Sequence, residues 1–314
     1  MPFFSVIIPL YNKEKFVEKT LRSVLSQTFD DYELIVIDDC STDKSLDAVK
    51  GLNDRRIKLI SHEKNQGLSA ARNTGIRNAS SDCIAFIDAD DTWEPFFLEK
   101  MAELVDKFPD AGMYASGYEE KYPNGRALEV HKNLDFATGE MNIVADFFKA
   151  NAHQPIFCYS SAAIRREVFE KAGYFDEKIT YGEDIDFNIR AGQQFKLAYY
   201  NAVCAAYIMD SENQITRSSP GNKVITDFAK YEADAKQNPA LKKFLDFNRY
   251  IVAMEFKLSG FNDQFKNLVS EINSENLTNR QKFLIDAPVP IVRLLRKIKS
   301  AFLKKGIRLT TFKR

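Results

Sequence analysis

The acidic residues of this chain include three short clusters whose positions are suggestive of chemistry. Asp38-Asp39 leads into Cys40-Ser41-Thr42-Asp43, Asp88-Ala89-Asp90-Asp91 forms a second cluster, and Glu183-Asp184 follows Tyr181-Gly182. The first two clusters each close a short apolar run. Carboxylates gathered on one rim repel one another, and their pKa values rise. A divalent ion relieves that repulsion, and an all-oxygen ligand set suits Mg2+ or Mn2+. An ion held by only one or two carboxylates completes its shell with phosphate oxygens, which makes a nucleoside diphosphate the natural second ligand. Taken singly, Asp43 and Asp91 read more simply as a helix cap or a solvent-facing acid; the set as a whole does not.

Two further segments belong with these acids. Asn65-Gln66-Gly67-Leu68-Ser69-Ala70-Ala71-Arg72-Asn73-Thr74-Gly75 puts a glycine at a helix start, where backbone can approach a ligand, and Arg72 one turn in. By itself it reads equally well as a turn followed by a surface charge. At Gly182-Glu183-Asp184 two acids stand at a helix N-terminus, where the dipole keeps a carboxylate ionised, as a base must be before it takes a proton. In isolation, N-capping by Asp184 explains that motif as well.

The elements that must position these residues alternate. Residues 4–9, 33–37, 56–61 and 83–87 read as strands, the last one central. Residues 13–27 read as an amphipathic helix with Phe16, Leu21, Val24 and Leu25 inward, a helix capped by Ser41 or Thr42 follows the second strand, and residues 68–78 give a third. Short apolar strands alternating with helices predict an α/β fold with a Rossmann-like, mostly parallel sheet covered on both faces. Right-handed crossovers then bring the strand C-termini to one edge, where open sheets of this kind bind ligands. Beyond residue 95, residues 96–108, 166–173 and 184–194 read as helices and 111–117, 156–164 and 197–207 as strands. Residues 222–286 are helical and polar-rich, without a strand signal.

Bulk properties narrow the class. The 314 residues are 45% hydrophobic and 28% charged, enough for a sizeable core and inconsistent with global disorder. The 44 basic and 44 acidic residues cancel, so overall charge singles out no partner, nucleic acid included. No apolar run reaches the roughly 18 residues of a membrane span. The start of the chain reads as a core strand broken by Pro9, not as a signal peptide. The four cysteines form no C-x-x-C pair and read as reduced thiols of a cytoplasmic protein. From Pro290 onward there are nine basic residues (Arg293 to Arg314) and no acid, with Ile291, Leu294, Leu295, Ile298 and Phe302 on one helical face. That tail reads either as an interfacial helix on an anionic membrane surface or as an ordinary helix packed on the domain.

In order, Pro9-Leu10-Tyr11-Asn12, Asp38-Asp39, Asn65 with Gly67 and Arg72, Asp88-Ala89-Asp90-Asp91, Gly173-Tyr174-Phe175-Asp176 and Glu183-Asp184 resemble the family 2 glycosyltransferases with the GT-A fold. The resemblance runs from Ser5 to about Asp210. It implies a GT-A domain over residues 1–219, with a nucleotide-sugar half to about residue 95 and an acceptor half after it; a helical extension over 220–289 and a basic tail over 290–314 follow. It implies that Pro9, Tyr11 and Asp39 hold a base, uracil favoured, with Asn65 and Gly67 beside them, and that Asp88 lies near the ribose. Asp90 would bind Mn2+ or Mg2+, Arg72 and Asp91 would lie near the phosphate or donor sugar, and Asp184 would be the base, supported by Glu183. The implied reaction moves a sugar, with inversion, from a UDP-sugar or another nucleoside diphosphate sugar to a glycan or lipid-linked acceptor in polysaccharide or glycolipid assembly. Many relatives carry a metal-ligating histidine after the last core strand; this chain has none there, and Asp210 is the oxygen ligand expected in its place.

Two other readings compete. Asp88-Ala89-Asp90-Asp91-Thr92 fits the D-x-D-x-T pattern of phosphatases with an aspartyl nucleophile, but those enzymes carry it on the first strand. A non-catalytic nucleotide-sugar-binding protein of the same fold would not need both Asp90 and Asp184.

Overall fold

The computed structural model describes residues 1–209, 211–212 and 220–304. The chain opens with β1 (Phe4–Leu10), α1 (Val17–Leu25), β2 (Tyr32–Asp38), α2 (Ser45–Gly51), β3 (Ile57–Ser61), α3 (Leu68–Asn78) and β4 (Cys83–Phe86). These four strands are parallel, in the order β3-β2-β1-β4, with Ile7 beside both Ile35 and Phe86. β1 is buried along its whole length, as a continuous apolar strand must be when both faces are covered. Pro9 lies past Ile7, the last residue that β1 pairs with β4, so its missing N–H costs no ladder bond on that side.

The second half mixes directions. It comprises β5 (Thr92–Trp93), α4 (Phe97–Lys107), β6 (Met113–Lys121), β7 (Ala127–Glu129), β8 (Met141–Ile143), α5 (Phe147–Asn151), β9 (Ala162–Arg165), α6 (Arg166–Ala172), α7 (Glu183–Gly192) and β10 (Leu197–Ile208). β9 runs antiparallel between β4 and β6, whereas β6 and β10 are parallel. Residues 156–164, expected as one strand, instead form a 3-10 turn at Tyr159–Ser161 and then β9. Because β9 is reversed, its beginning, not its end, reaches the rim where β1, β2 and β4 finish. The cap of α2 also differs from expectation. Ser45 donates its amide to Asp43 Oδ1 at 2.9 Å, while Ser41 Oγ accepts from the Asn12 amide.

Alternate residues of β1 feed two cores. Val6, Ile8 and Leu10 pack with α1 and α4, whereas Ile7 joins Phe86, Phe169, Phe175 and Phe187 on the other face. Phe187 stacks on Phe169 and Phe175, with centroids 5.1 and 4.8 Å apart, which seats α7 beneath the rim. On the same face, α3 lies tight on β1: a Cβ on Gly75 would come 2.4 Å from Ile7 Cγ2, so only glycine permits this approach.

The helical extension contains α8 (Glu232–Ala235), α9 (Pro239–Ser259), α10 (Asn262–Ser270), α11 (Asn279–Asp286) and α12 (Val289–Lys304). Asn238 caps α9 by accepting from the Ala240 and Leu241 amides, with Pro239 in the first turn. Leu241, Phe244 and Leu245 of α9 enter the same core as Phe86 and Phe169, so the extension buttresses the sheet.

Candidate functional site

Arg72 stands at the centre of the rim, carried there by the close seating of α3 on β1. Its guanidinium is buried and donates to Asp88 Oδ1 and to Glu183 Oε1, each at 3.1 Å. The flat cation also lies 4.8 Å from the Tyr159 ring centroid and 5.4 Å from that of Phe175. Burial opposes its charge, but Asp88 and Glu183 outweigh burial and push the pKa up, so Arg72 stays cationic. It thereby ties the end of β4 to the start of α7.

At the start of α7 the backbone turns through Gly182 at φ 78°, and a Cβ there would press on Ile185 Cδ1 at 3.1 Å. This turn brings two carboxylates to the rim. Glu183 is buried and pushed up to about 7 by desolvation and by Asp184, against the pull of Arg72. Asp184 is half-buried; burial raises its pKa and Arg72 draws it back. Asp184 Oδ1 accepts from the Ile185 amide at 2.9 Å, and its second oxygen has no hydrogen-bond donor among the described residues. Asp184 thus combines a raised pKa with partial exposure.

The Asp88–Asp91 turn is braced from the reversed strand. Ser160 Oγ accepts from the Asp88 amide at 3.0 Å and lies 2.5 Å from Asp91 Oδ2, while the Ile208 amide donates to Asp91 Oδ1 at 2.9 Å. Asp91 is fully buried, and desolvation, then Asp90 and Asp88, push its pKa well up. Both its oxygens are engaged within the protein, so Asp91 clamps β10 and the Tyr159–Ser161 turn to the acidic loop. Tyr207 sits close enough for burial and the fields of Asp91, Asp88 and Asp90 to raise its phenol.

Asp90 faces a cation. Lys13 Nζ lies 2.7 Å from Asp90 Oδ2, 3.3 Å from Ser211 Oγ and 2.6 Å from the Glu212 carbonyl, and Ser211 also bonds to Asp90. Three oxygens therefore surround one positive charge, a donor set that fits the hard-oxygen preference of Mg2+ or Mn2+. No group of three metal-ligating side chains occurs among the described residues. An ion here would draw on Asp90 and on ligand oxygens. Asp210 lies outside the described residues.

Asp39 is buried and accepts from the Gln66 and Gly67 amides, each at 2.8 Å, and from His62 Nδ1 at 2.7 Å. Asn65 donates to the Asp39 carbonyl at 3.2 Å. About four lone-pair sites on a carboxylate leave Asp39 one acceptor position. Tyr11, two residues past Pro9, is 41% exposed. His62 is a structural bridge, bonded also to Thr74 Oγ1 at 3.0 Å.

The described acids expected from the sequence, and Arg72, thus meet on one rim. Lys13, Tyr159 and Ser160 join them without having been anticipated. For Lys13 the available signal was its place just after the Pro9–Asn12 strand end. For Tyr159 and Ser160 there was none, because reading residues 156–164 as one strand hides the turn.

The family model described as "Glycosyl transferase family 2" matches residues 5–173. "Uncharacterized glycosyltransferase EpsJ" of Bacillus subtilis is 32% identical over 198 residues, 61% of this chain and 56% of that protein. "UDP-Glc:alpha-D-GlcNAc-diphosphoundecaprenol beta-1,3-glucosyltransferase WfgD" of Escherichia coli is 39% identical over 112 residues, 36% of this chain and 44% of that protein. The chain therefore spans about half the length of these curated relatives. The crystal structure of S. aureus TarS 1-349 in complex with UDP-GlcNAc superposes with a TM-score of 0.66 at 19% identity, covering 96% of this chain and 92% of that one. At that identity the likeness is one of fold.

Two outcomes test the electrostatics. Arg72→Met leaves Asp88 and Glu183 facing each other without a cation, and urea unfolding is expected to show a loss of about 3–5 kcal/mol. Arg72→Lys restores the charge but not the two-pronged contact, and recovers only part of that loss. Glu183 is held at about 7 against an ordinary 4.5, so its stabilising contribution is fully present below about 4.5 and is lost as pH rises to about 7. Glu183→Gln should flatten the stability profile across that window; an unchanged slope would sink the assignment.

Proposed function

This chain belongs to glycosyl transferase family 2, and on that premise we propose that it transfers a sugar from a UDP-sugar, or another nucleoside diphosphate sugar, to an acceptor hydroxyl with inversion at the anomeric carbon. The observation that carries this reading is the Arg72 bridge, which holds an acidic strand-end loop and an open carboxylate, Asp184, to one crevice. WfgD's name specifies a UDP-Glc donor and a diphosphoundecaprenol-linked acceptor, and TarS was solved with UDP-GlcNAc. Both favour a UDP-sugar donor here, and the former favours a lipid-linked acceptor in polysaccharide or glycolipid assembly. The four free cysteines fit the reducing cytoplasm, with action at the inner face of the membrane.

In this reading Tyr11 stacks on the base and Asp39 uses its remaining lone pair to accept from a base N–H, with Pro9, Asn65 and Gly67 completing the wall. Asp88, half-turned outward while held by Arg72, lies by the ribose. Mn2+ or Mg2+ would be held by Asp90, with Ser211 and Asp210 as further oxygen donors; once bound, it would neutralise the departing diphosphate. Arg72 keeps Asp88 and Glu183 in register and adds positive potential beside the phosphates. Asp184 takes the acceptor hydroxyl's proton as that hydroxyl attacks; burial, and less strongly Asp88, keep its pKa raised, and Glu183 supports it by tying the start of α7 to Arg72. Asp91 acts as a brace behind the donor sugar. No covalent intermediate on the protein is needed, because the nucleophile is the acceptor itself.

Asp184→Asn should lower turnover of a UDP-sugar by about 10²–10⁴, while a thermal-shift panel of nucleoside diphosphates and their sugars still reports binding. A donor at 100 times its Kd should stabilise the fold by about 2.7 kcal/mol. Unchanged transfer in this variant would refute the role of Asp184. Lys13→Met removes the charge opposite Asp90 and should cost about 1–3 kcal/mol. Added Mn2+ should restore more of the melting temperature in this variant than it adds to the unmodified chain, and equal shifts in both would exclude Asp90 as a metal ligand.

A further inference from the structure

Helix α12 is seated with its apolar side turned outward. An amphipathic helix normally lays its apolar stripe on its own domain. Here the contacts with α9 are made largely by arginines: Arg296 pairs with Glu255, and Arg293 donates to the Leu258 carbonyl at 3.0 Å. Val292 is the one α12 side chain in the buried cluster with Tyr250 and Met254. Ile291, Leu294, Leu295, Ile298 and Phe302 are 37–57% exposed. Their spacing of three, four, seven and eleven residues from Ile291 lines them along one side of the helix, away from Arg296.

Such a stripe needs a cover, and charge says which. From Pro290 to the end the sequence has nine lysines and arginines and no acid. A second copy meeting the first stripe to stripe would bring two such segments together in repulsion. An anionic bilayer offers acyl chains to the stripe and headgroups to the flanking cations. We propose that α12 is an interfacial anchor whose Ile291–Phe302 stripe inserts at the surface of an anionic membrane. The anchoring does not depend on the glycosyltransferase reading.

The test is co-sedimentation of the full chain with phosphatidylcholine vesicles, with and without one-third phosphatidylglycerol. Binding is expected only to the anionic vesicles, weakened by high salt, and the double variant Leu294→Glu/Ile298→Glu should reduce it by roughly tenfold or more. Because both side chains are exposed, the variant should keep its melting temperature and its turnover on a water-soluble acceptor. Binding of the double variant equal to that of the unmodified chain overturns the proposal. So does failure to bind either vesicle together with a dimer in solution that the variant dissociates, which would assign the stripe to a second copy. Donor turnover measured on the same samples reports separately on the enzymatic reading.

Discussion

A buried guanidinium between two carboxylates is a demanding arrangement. Arg72 gives up its hydration and is repaid only while Asp88 and Glu183 stay within hydrogen-bond reach on opposite sides. Everything that fixes the site can be traced to that requirement. Gly75 lets α3 close on Ile7 and sets the depth of Arg72. The Phe169–Phe187–Phe175 stack fixes the height of α7 and hence of Glu183. Tyr159 floors the guanidinium from below, and its neighbour Ser160 holds the Asp88 amide. Three segments far apart in sequence are thereby made to agree on a single cation.

The rim has more acids than cations: Asp88, Asp90, Asp91, Glu183 and Asp184 against Arg72 and Lys13. The fold manages the excess in two ways. Lys13 neutralises Asp90 directly. Deeper in, burial raises the proton affinity of Asp91, Glu183 and Asp184, and Arg72 draws the last two back. These acids nevertheless differ in what they offer. Asp91 has both oxygens engaged and functions as a strut, whereas Asp184 keeps one oxygen open at the crevice. Raised affinity for a proton is useful to a base only where a substrate can reach it.

Much of this was legible in the sequence. β1 to β4 announce themselves as short apolar runs, and in a parallel sheet the acids after β2 and β4 must share an edge. Residues 68–78 are the helix that was expected, with Arg72 on it. What escaped was whatever depended on reversal of direction. The antiparallel β9 presents its N-terminal turn to the rim, so Tyr159 and Ser160 enter the site from a segment whose apolar pattern reads as a continuous strand. Asp91 looked like an ordinary acid next to Asp90, because sequence does not reveal that Ile208 and Ser160 close over it. Lys13 looked like the polar start of a helix that in fact begins at Val17.

The orientation of α12 shows the same limit in another form. Periodicity reveals that a helix has an apolar side but not which side meets the domain. Here Glu255 and the Leu258 carbonyl on α9 select the arginine side, because a guanidinium can satisfy a carboxylate and a helix-terminal carbonyl that a leucine would leave unpaired. The apolar side is then left outward as a consequence of what α9 presents. Since α9 also contributes Leu241, Phe244 and Leu245 to the core that seats α7, the element that orients the exposed stripe also supports α7.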